Sequence, residues 1–192
     1  MASQSLQRWR GQRAVELDEL IQAHAAVGGT ARGRRYATQQ VNQAYAMMLS
    51  SQFQGYCRDL HSESVDFLVS AVQPVSMQYV LRTALVLSRK LDRGNPNPAN
   101  LGSDFSRLGL DFWAEVKGFD SRNQDRKESL EMLNKWRNAI AHQDFDPGVL
   151  GGRMTLRLKD VKKWRAACDQ LAQSFDRLLA LHIHQLVGVT PW

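Results

Sequence analysis

Residues 160–182 read DVKKWRAACDQLAQSFDRLLALH. Val161, Trp164, Cys168, Leu171, Phe175, Leu178 and His182 alternate at spacings of three and four over three heptads. That period places them on one face of a helix. A seam this regular packs against another long helix, in the same chain or in a second subunit. Asp160, just before it, has the side chain of a helix N-cap.

Outward from this helix the period stays helical. The segment Gln143–Lys159 is a loop holding Pro147, Gly148, Gly151 and Gly152, and within it Met154–Leu158 alternates like a short strand. Before the loop, a basic polar helix spans about Ser121–His142, with Leu130, Leu133, Trp136 and Ile140 on its buried side. Ser103 reads as the N-cap of a short helix carrying Phe105, Leu108, Phe112 and Trp113. Asn95-Pro96-Asn97-Pro98 is a loop. A helix over Ser76–Lys90 would turn Met77, Val80, Leu81, Ala84 and Leu85 inward.

A long helix from Tyr36 carries Val41, Tyr45, Leu49, Phe53, Tyr56 and Leu60, and Phe67, Leu68 and Ala71 extend it towards Pro74. The first helix is expected over Gln12–Val27, with Leu17, Leu20, Ile21 and Ala25 on one face. Gly28–Arg35, GGTARGRR, then reads as a flexible basic linker. The expected fold is an all-α bundle of long antiparallel helices with a short irregular, β-like loop before the last one. The expected division is 1–35, an N-terminal helix with its linker, and 36–192, the helical domain. Whether the first helix docks on the bundle or swaps to a partner stays open.

Composition excludes several classes. The 192 residues are 43% hydrophobic and 23% charged, which fits a globular chain and neither a disordered one nor a fibre. The most apolar stretch, Leu178–Val189, is interrupted by His182, His184 and Gln185, too short and polar to span a bilayer. The N-terminus MASQSLQRWRGQR has no apolar run of the kind a signal peptide needs. Cys57 and Cys168 alone imply no disulfide framework, so the cytoplasm is the expected compartment. The net charge of +6 comes from 18 Arg and 7 Lys against 19 acidic residues. Arginine is the better bidentate phosphate ligand, so this balance invites a nucleic-acid partner. A GC-rich coding sequence would give the same bias.

One constellation carries chemistry. Arg137-Asn138-Ala139-Ile140-Ala141-His142 is an Arg-Asn pair followed, after three intervening residues, by His. An Arg with a His five positions later is expected about half a time by chance in this composition, and Arg177 with His182 is a second match. Requiring Asn directly after Arg lowers the expectation to roughly 0.02, and only Arg137 passes. Asn138 and His142 share a helical face, whereas Arg137 and His142 lie about 140° apart around the axis. The latter two converge only if the helix ends or bends, or if the Arg side chain curls back.

Arg137-Asn138 through His142 resembles the RN-x-x-x-H signature of the HEPN superfamily. The segments Ser51–His61 (SQFQGYCRDLH) and Leu108–Trp113 (LGLDFW) also look like bacterial members of the RiboL-PSP-HEPN type. The likeness covers about Tyr36–Val187. It implies a small helical bundle and a metal-independent endoribonuclease whose motif pairs across a homodimer. His142 would then act as general base or acid on the ribose 2′-hydroxyl. Arg137 would stabilise charge on the phosphorus oxygens. Asn138 would orient His142 or the phosphate. The products would be a 2′,3′-cyclic phosphate and a 5′-hydroxyl, with no cofactor or metal. The resemblance also implies a toxin or phage-defence role, with an antitoxin or defence partner. The alternative is a non-catalytic HEPN module that binds RNA, nucleotide or a partner protein.

Other residues read more plainly. His182 lies on the apolar seam and is expected to be a core or interface histidine. Cys57 and His61 share a helical face, but no second pair at ligand spacing accompanies them, so metal binding is not expected. Arg58, Asp59 and His61 are candidates for lining a cleft, against a surface salt-bridge cluster. Asp144 is a further candidate for lining the cleft, and Asp144 and Asp146 are candidates for orienting His142, against a polar loop. Arg122, Arg126, Lys127, Lys135 and Arg137, with Lys159, Lys162, Lys163 and Arg165, would guide a phosphate backbone or simply form a mixed solvated face. No membrane contact is expected.

Overall fold

The computed structural model of the chain describes residues 1–28 and 36–192. The expected basic linker, and with it the division at residue 35, lies outside the described residues. Among those residues the structure is all-helical, with no strand.

The first helix starts earlier than its sequence suggests. α1 (Gln4–Arg8) is capped by Ser3, whose Oγ accepts from Leu6 N at 3.0 Å. It runs through one π-helical turn, Trp9–Arg13, into α2 (Ala14–Gly28). Leu6, Trp9 and Leu17 are buried in one cluster with Phe53 and Tyr56. The N-terminal helix thus docks on its own bundle. Gly55 gives it room: a Cβ there would lie 2.5 Å from Arg13 Nη1.

α3 (Tyr36–Ser70) is the central element and packs against α1, α2, α4, α7 and α8. α4 (Ser76–Val86) is shorter than expected, because Ser88 takes a positive φ of 59° and Lys90–Asp92 form a 3-10 turn. Its apolar positions are also less buried than expected. Met77, Val80 and Ala84 are exposed, and Leu81 and Leu85 are half-buried.

The expected short helix is two helices. α5 (Pro98–Phe105) is capped by Asn97, with Ser103 inside it and not at its start. Pro98 suits the first helical position because the amide it lacks has no helical partner there. α6 (Phe112–Phe119) is capped by Asp111.

α7 (Asn123–His142) and α8 (Leu158–Val187) form the last pair. They are antiparallel: Ser174 of α8 bonds Asn123 at the start of α7, and Met132 further along α7 shares a groove with Lys163 and Trp164 near the start of α8. α8 begins at Leu158, ahead of the expected cap: Asp160 pairs with Arg153 at 2.9 Å instead. The expected strand at Met154–Leu158 does not form. Leu156 is buried, and its carbonyl is taken by Asn42 Nδ2 at 2.9 Å, so no ladder partner is needed.

The core is aromatic. Phe105 stacks on Phe112 at 4.5 Å between centroids, and Phe175 of the α8 seam meets Phe112 at 4.8 Å and Phe53 at 6.2 Å. Tyr56 hydroxyl donates to Ala172 O at 2.7 Å, which satisfies the polar tip of a fully buried ring. His182, at the end of the seam, is half-buried and its Nε2 lies 2.8 Å from Leu108 O. Among the described residues no helix is long and apolar enough to cross a membrane.

Candidate active site

α7 is built around an inner face of Leu130, Leu133, Trp136 and Ala139, all buried. Asn134, on the same side, is buried yet satisfied: its Nδ2 donates to Leu130 O at 2.9 Å and Pro96 O at 3.2 Å, and its Oδ1 accepts from Ser50. With that face fixed inward, the helical period turns Asn138 and His142 to solvent, with Arg137 half-exposed.

The helix stops directly after His142. Gln143 takes the left-handed conformation, φ 56° and ψ 32°. Its amide bonds Ile140 O at 3.4 Å, while Asp144 N bonds Ala139 O at 3.0 Å. This is the Schellman arrangement, with Gln143 where glycine is usual. The side chain of Gln143 adds a bond to Ile140 O at 2.7 Å.

Arg137 Nη1 donates to Asn138 Oδ1 at 3.2 Å. Asn95 Nδ2 donates to the same oxygen at 2.9 Å. The helix remains regular through His142, so its end comes too late to draw Arg137 and His142 together. Among the described residues no hydrogen bond joins His142 to Arg137, Asn138 or Asp144. Asp144 is exposed, two residues beyond the helix end. The structure thus brings Arg137 and Asn138 into contact and leaves His142 free in solvent on Asn138's side of α7.

Arg58, Asp59 and His61 lie elsewhere on α3. Asp59 pairs with Arg8 at 3.0 Å and Arg13 at 2.8 Å, holding the N-terminal helix. Arg58 is exposed beside it. His61 is fully buried and faces no cleft. Its Nε2 lies 3.0 Å from Asp104 O and its Nδ1 lies 3.3 Å from Arg89 Nη1. Burial, then the Arg89 cation, lowers its pKa to about 4. The Asp104 carboxylate accepts from Lys90 N and Leu91 N, each at 2.8 Å, so this interior cluster anchors the 90–92 turn.

The basic residues divide into two groups. Arg122 and Arg126 share Asp120, at 3.0 and 2.9 Å, and hold its carboxyl well below the usual range. Lys135 reaches Glu131 at 3.6 Å. Among the described residues Arg137, Arg157, Lys159, Lys162 and Lys163 form no ion pair within 4.0 Å. An open groove of about 610 Å³ between α7 and α8 is of mixed charge, lined by Asp125, Arg126, Glu128 and Lys163 around Met132 and Trp164. Among the described residues no group of three or more His, Cys, Asp and Glu is arranged to hold a metal.

Sequence reasoning missed Asn95, Asn97, Asn100 and Asn134. The signal was there: five of the chain's seven asparagines fall within 95–100 and 134–138. Gly94 belongs with them, since a Cβ at that position would lie 2.7 Å from Asn100 Nδ2.

A family model described as RiboL-PSP-HEPN matches residues 12–181, from the π turn of the first helix to the last turns of α8. The chain belongs to this family and carries a HEPN-type domain. No curated protein and no solved structure matches it. The family match supports a nuclease-related or RNA-related module.

Proposed function

We propose that this protein is a metal-independent endoribonuclease acting in the cytoplasm, with Arg137, Asn138 and His142 as its site and a homodimer as its working form. One observation carries the reading. The Arg137–Asn138 pair and His142 are presented at the end of a rigid helix whose opposite face is locked into the core. Rigid placement of charged donors is what phosphoryl-transfer catalysis requires of a protein.

In this reading His142 takes the proton from a ribose 2′-hydroxyl. The 2′-oxygen attacks phosphorus, the bond to the 5′-oxygen breaks, and an acid returns a proton to that leaving oxygen. Arg137 donates to the phosphorus oxygens as negative charge builds there. The products are a 2′,3′-cyclic phosphate and a 5′-hydroxyl. Within one chain Arg137 and His142 sit about 140° apart on α7, so pairing two copies supplies what one lacks. Arg58 and Asp144 would extend the cleft only through such a pairing. A toxin or phage-defence role, with an antitoxin or defence partner, extends this reading by family likeness.

A binding module is the second reading. It is favoured by the absence, among the described residues, of any hydrogen bond between His142 and the Arg137–Asn138 pair within one chain. The two readings part on total RNA incubated in EDTA with native protein and with His142→Ala. Fragments ending in cyclic phosphate from the native protein alone are expected. Intact RNA with retained binding would select the module.

A further inference from the structure

The turn before α5 and the motif on α7 are joined by a chain of side-chain amides whose directions are all determined. Asn97 caps α5, and its Oδ1 accepts from the backbone N–H of Asn100 at 2.8 Å. A backbone N–H can only donate, so the atom facing it is the oxygen. Asn97 Nδ2 then points the other way and donates to Asn95 Oδ1 at 2.8 Å. That leaves Asn95 Nδ2 to donate to Asn138 Oδ1 at 2.9 Å. At the far end Arg137 Nη1 donates to the same oxygen at 3.2 Å, and a guanidinium has no acceptor. The helix amide at one end and the guanidinium at the other demand the same orientation. The turn is itself held, because Asn100 Nδ2 donates to Asn95 O at 2.8 Å in space that Gly94 leaves open.

From this relay we infer that Asn95 and Asn97 are positioning residues that lock the Asn138 amide with its oxygen inward and its NH2 outward. The amide of a solvent-exposed asparagine is otherwise free to turn either end out. Among the described residues Asn138 Nδ2 has no hydrogen-bond partner, so its N–H groups remain for a ligand. Beside it stand the remaining N–H groups of Arg137. The Arg137–Asn138 pair therefore offers hydrogen-bond donors only, and the ligand that fits it is a group of acceptors only: the non-bridging oxygens of a phosphodiester. Turned the other way, Asn138 would set its own oxygen against them. The substrate's identity rests on the endoribonuclease reading; the amide directions do not. In this arrangement Asn138 acts on phosphate, and Asn95 and Asn97 act through it.

Three variants test the relay. Asn97→Ser keeps a capping hydroxyl but is too short to reach Asn95. Asn97→Asp keeps the cap and replaces the donor facing Asn95 Oδ1 by an acceptor. Asn95→Ala removes the middle of the chain. The probes are a 2′-O-methyl RNA oligonucleotide, which cannot be cut, and inorganic phosphate. The readouts are affinity and the NMR signal of the Asn138 side-chain amide. In the native protein both probes should shift that signal. In all three variants the unliganded signal should move and affinity for the oligonucleotide fall about three- to tenfold. The melting temperature should stay near native for Asn97→Ser and Asn97→Asp. Native affinity and an unmoved Asn138 signal in Asn97→Ser and Asn95→Ala would overturn the relay, even if the native protein cuts RNA. If Asn95→Ala does not fold, Asn97→Ser carries the test alone. A native protein that cuts no RNA, yet whose Asn138 amide responds to phosphate only with the relay intact, would overturn the nuclease reading and leave the relay standing. No response of that amide to either probe would overturn the donor surface.

Discussion

Trp9 donates its indole N–H to Asp169 Oδ1 at 2.9 Å, across 160 positions of sequence. The ring is 2% exposed and meets Phe53 at 5.6 Å and Tyr56 at 5.7 Å. The first helix is therefore part of the core that supports the motif. Trp9→Ala should cost about 3–5 kcal/mol, read as a lowered denaturation midpoint. Removing residues 1–35 should leave Phe53 and Tyr56 uncovered and yield an aggregating chain. A truncated protein as stable as the full chain would show that the N-terminal helix is a separable appendage.

His61 sets an acid limit on stability. Its folded pKa, about 4, lies below the ordinary 6.5. Between those values the unfolded chain binds the proton and the folded one does not, so stability falls as pH drops from about 6.5 to 4. Asp169 and Asp176, whose carboxyls burial raises, act in the opposite sense. The measurement that isolates His61 is the native stability minus that of His61→Gln as a function of pH. The difference should shrink by on the order of 3 kcal/mol across the window. A flat difference would mean that His61 is not held neutral.

Arg137→Lys tests the guanidinium. Lysine keeps the charge but loses the fork that bonds Asn138 while facing a phosphate. Cleavage of RNA should fall on the order of a hundredfold in kcat, with the fold unchanged. His142→Ala should reduce kcat by about 10²- to 10⁴-fold. Equal rates for native protein and both variants would place the chemistry elsewhere.

Cys57 and Cys168 are fully buried, and burial pushes both thiols well above their ordinary range. Neither should react with a thiol reagent in the folded protein at neutral pH. Both should react once the chain is unfolded. Fast labelling without denaturant would show that the α3–α8 core opens.

Gly94→Ala should disturb the amide relay at its root. The new Cβ would lie 2.7 Å from Asn100 Nδ2, forcing that side chain off Asn95 O. The expected result is a loss of about 1–2 kcal/mol in stability, measured by denaturation, with weaker RNA binding alongside. Native stability and binding would show that the turn holds without Asn100.

Much of the fold was legible because helical period survives in the sequence wherever one face is buried. The α8 seam and the long α3 follow from apolar spacing alone. The start of the first helix did not, and the π turn explains it. A straight α-helix would place Leu17 about 80° from Trp9. The wider turn at Trp9–Arg13 takes up that difference, and it hides the period from any fixed-period reading. Caps were misplaced for a related reason. Ser103 and Asp160 have capping side chains, yet the helices start where Asn97 and Arg157 turn the backbone.

By itself the sequence determined an all-α chain, its longest helices, and the Arg137–Asn138–His142 spacing that points to the family. Those are local properties, written in period and motif. Only the tertiary structure decided that the first helix belongs to the core, that His61 is interior, and that Asn138 is held by a turn 43 positions away. Each depends on which surfaces meet, and a hydrogen bond between distant side chains leaves no period in the chain that forms it.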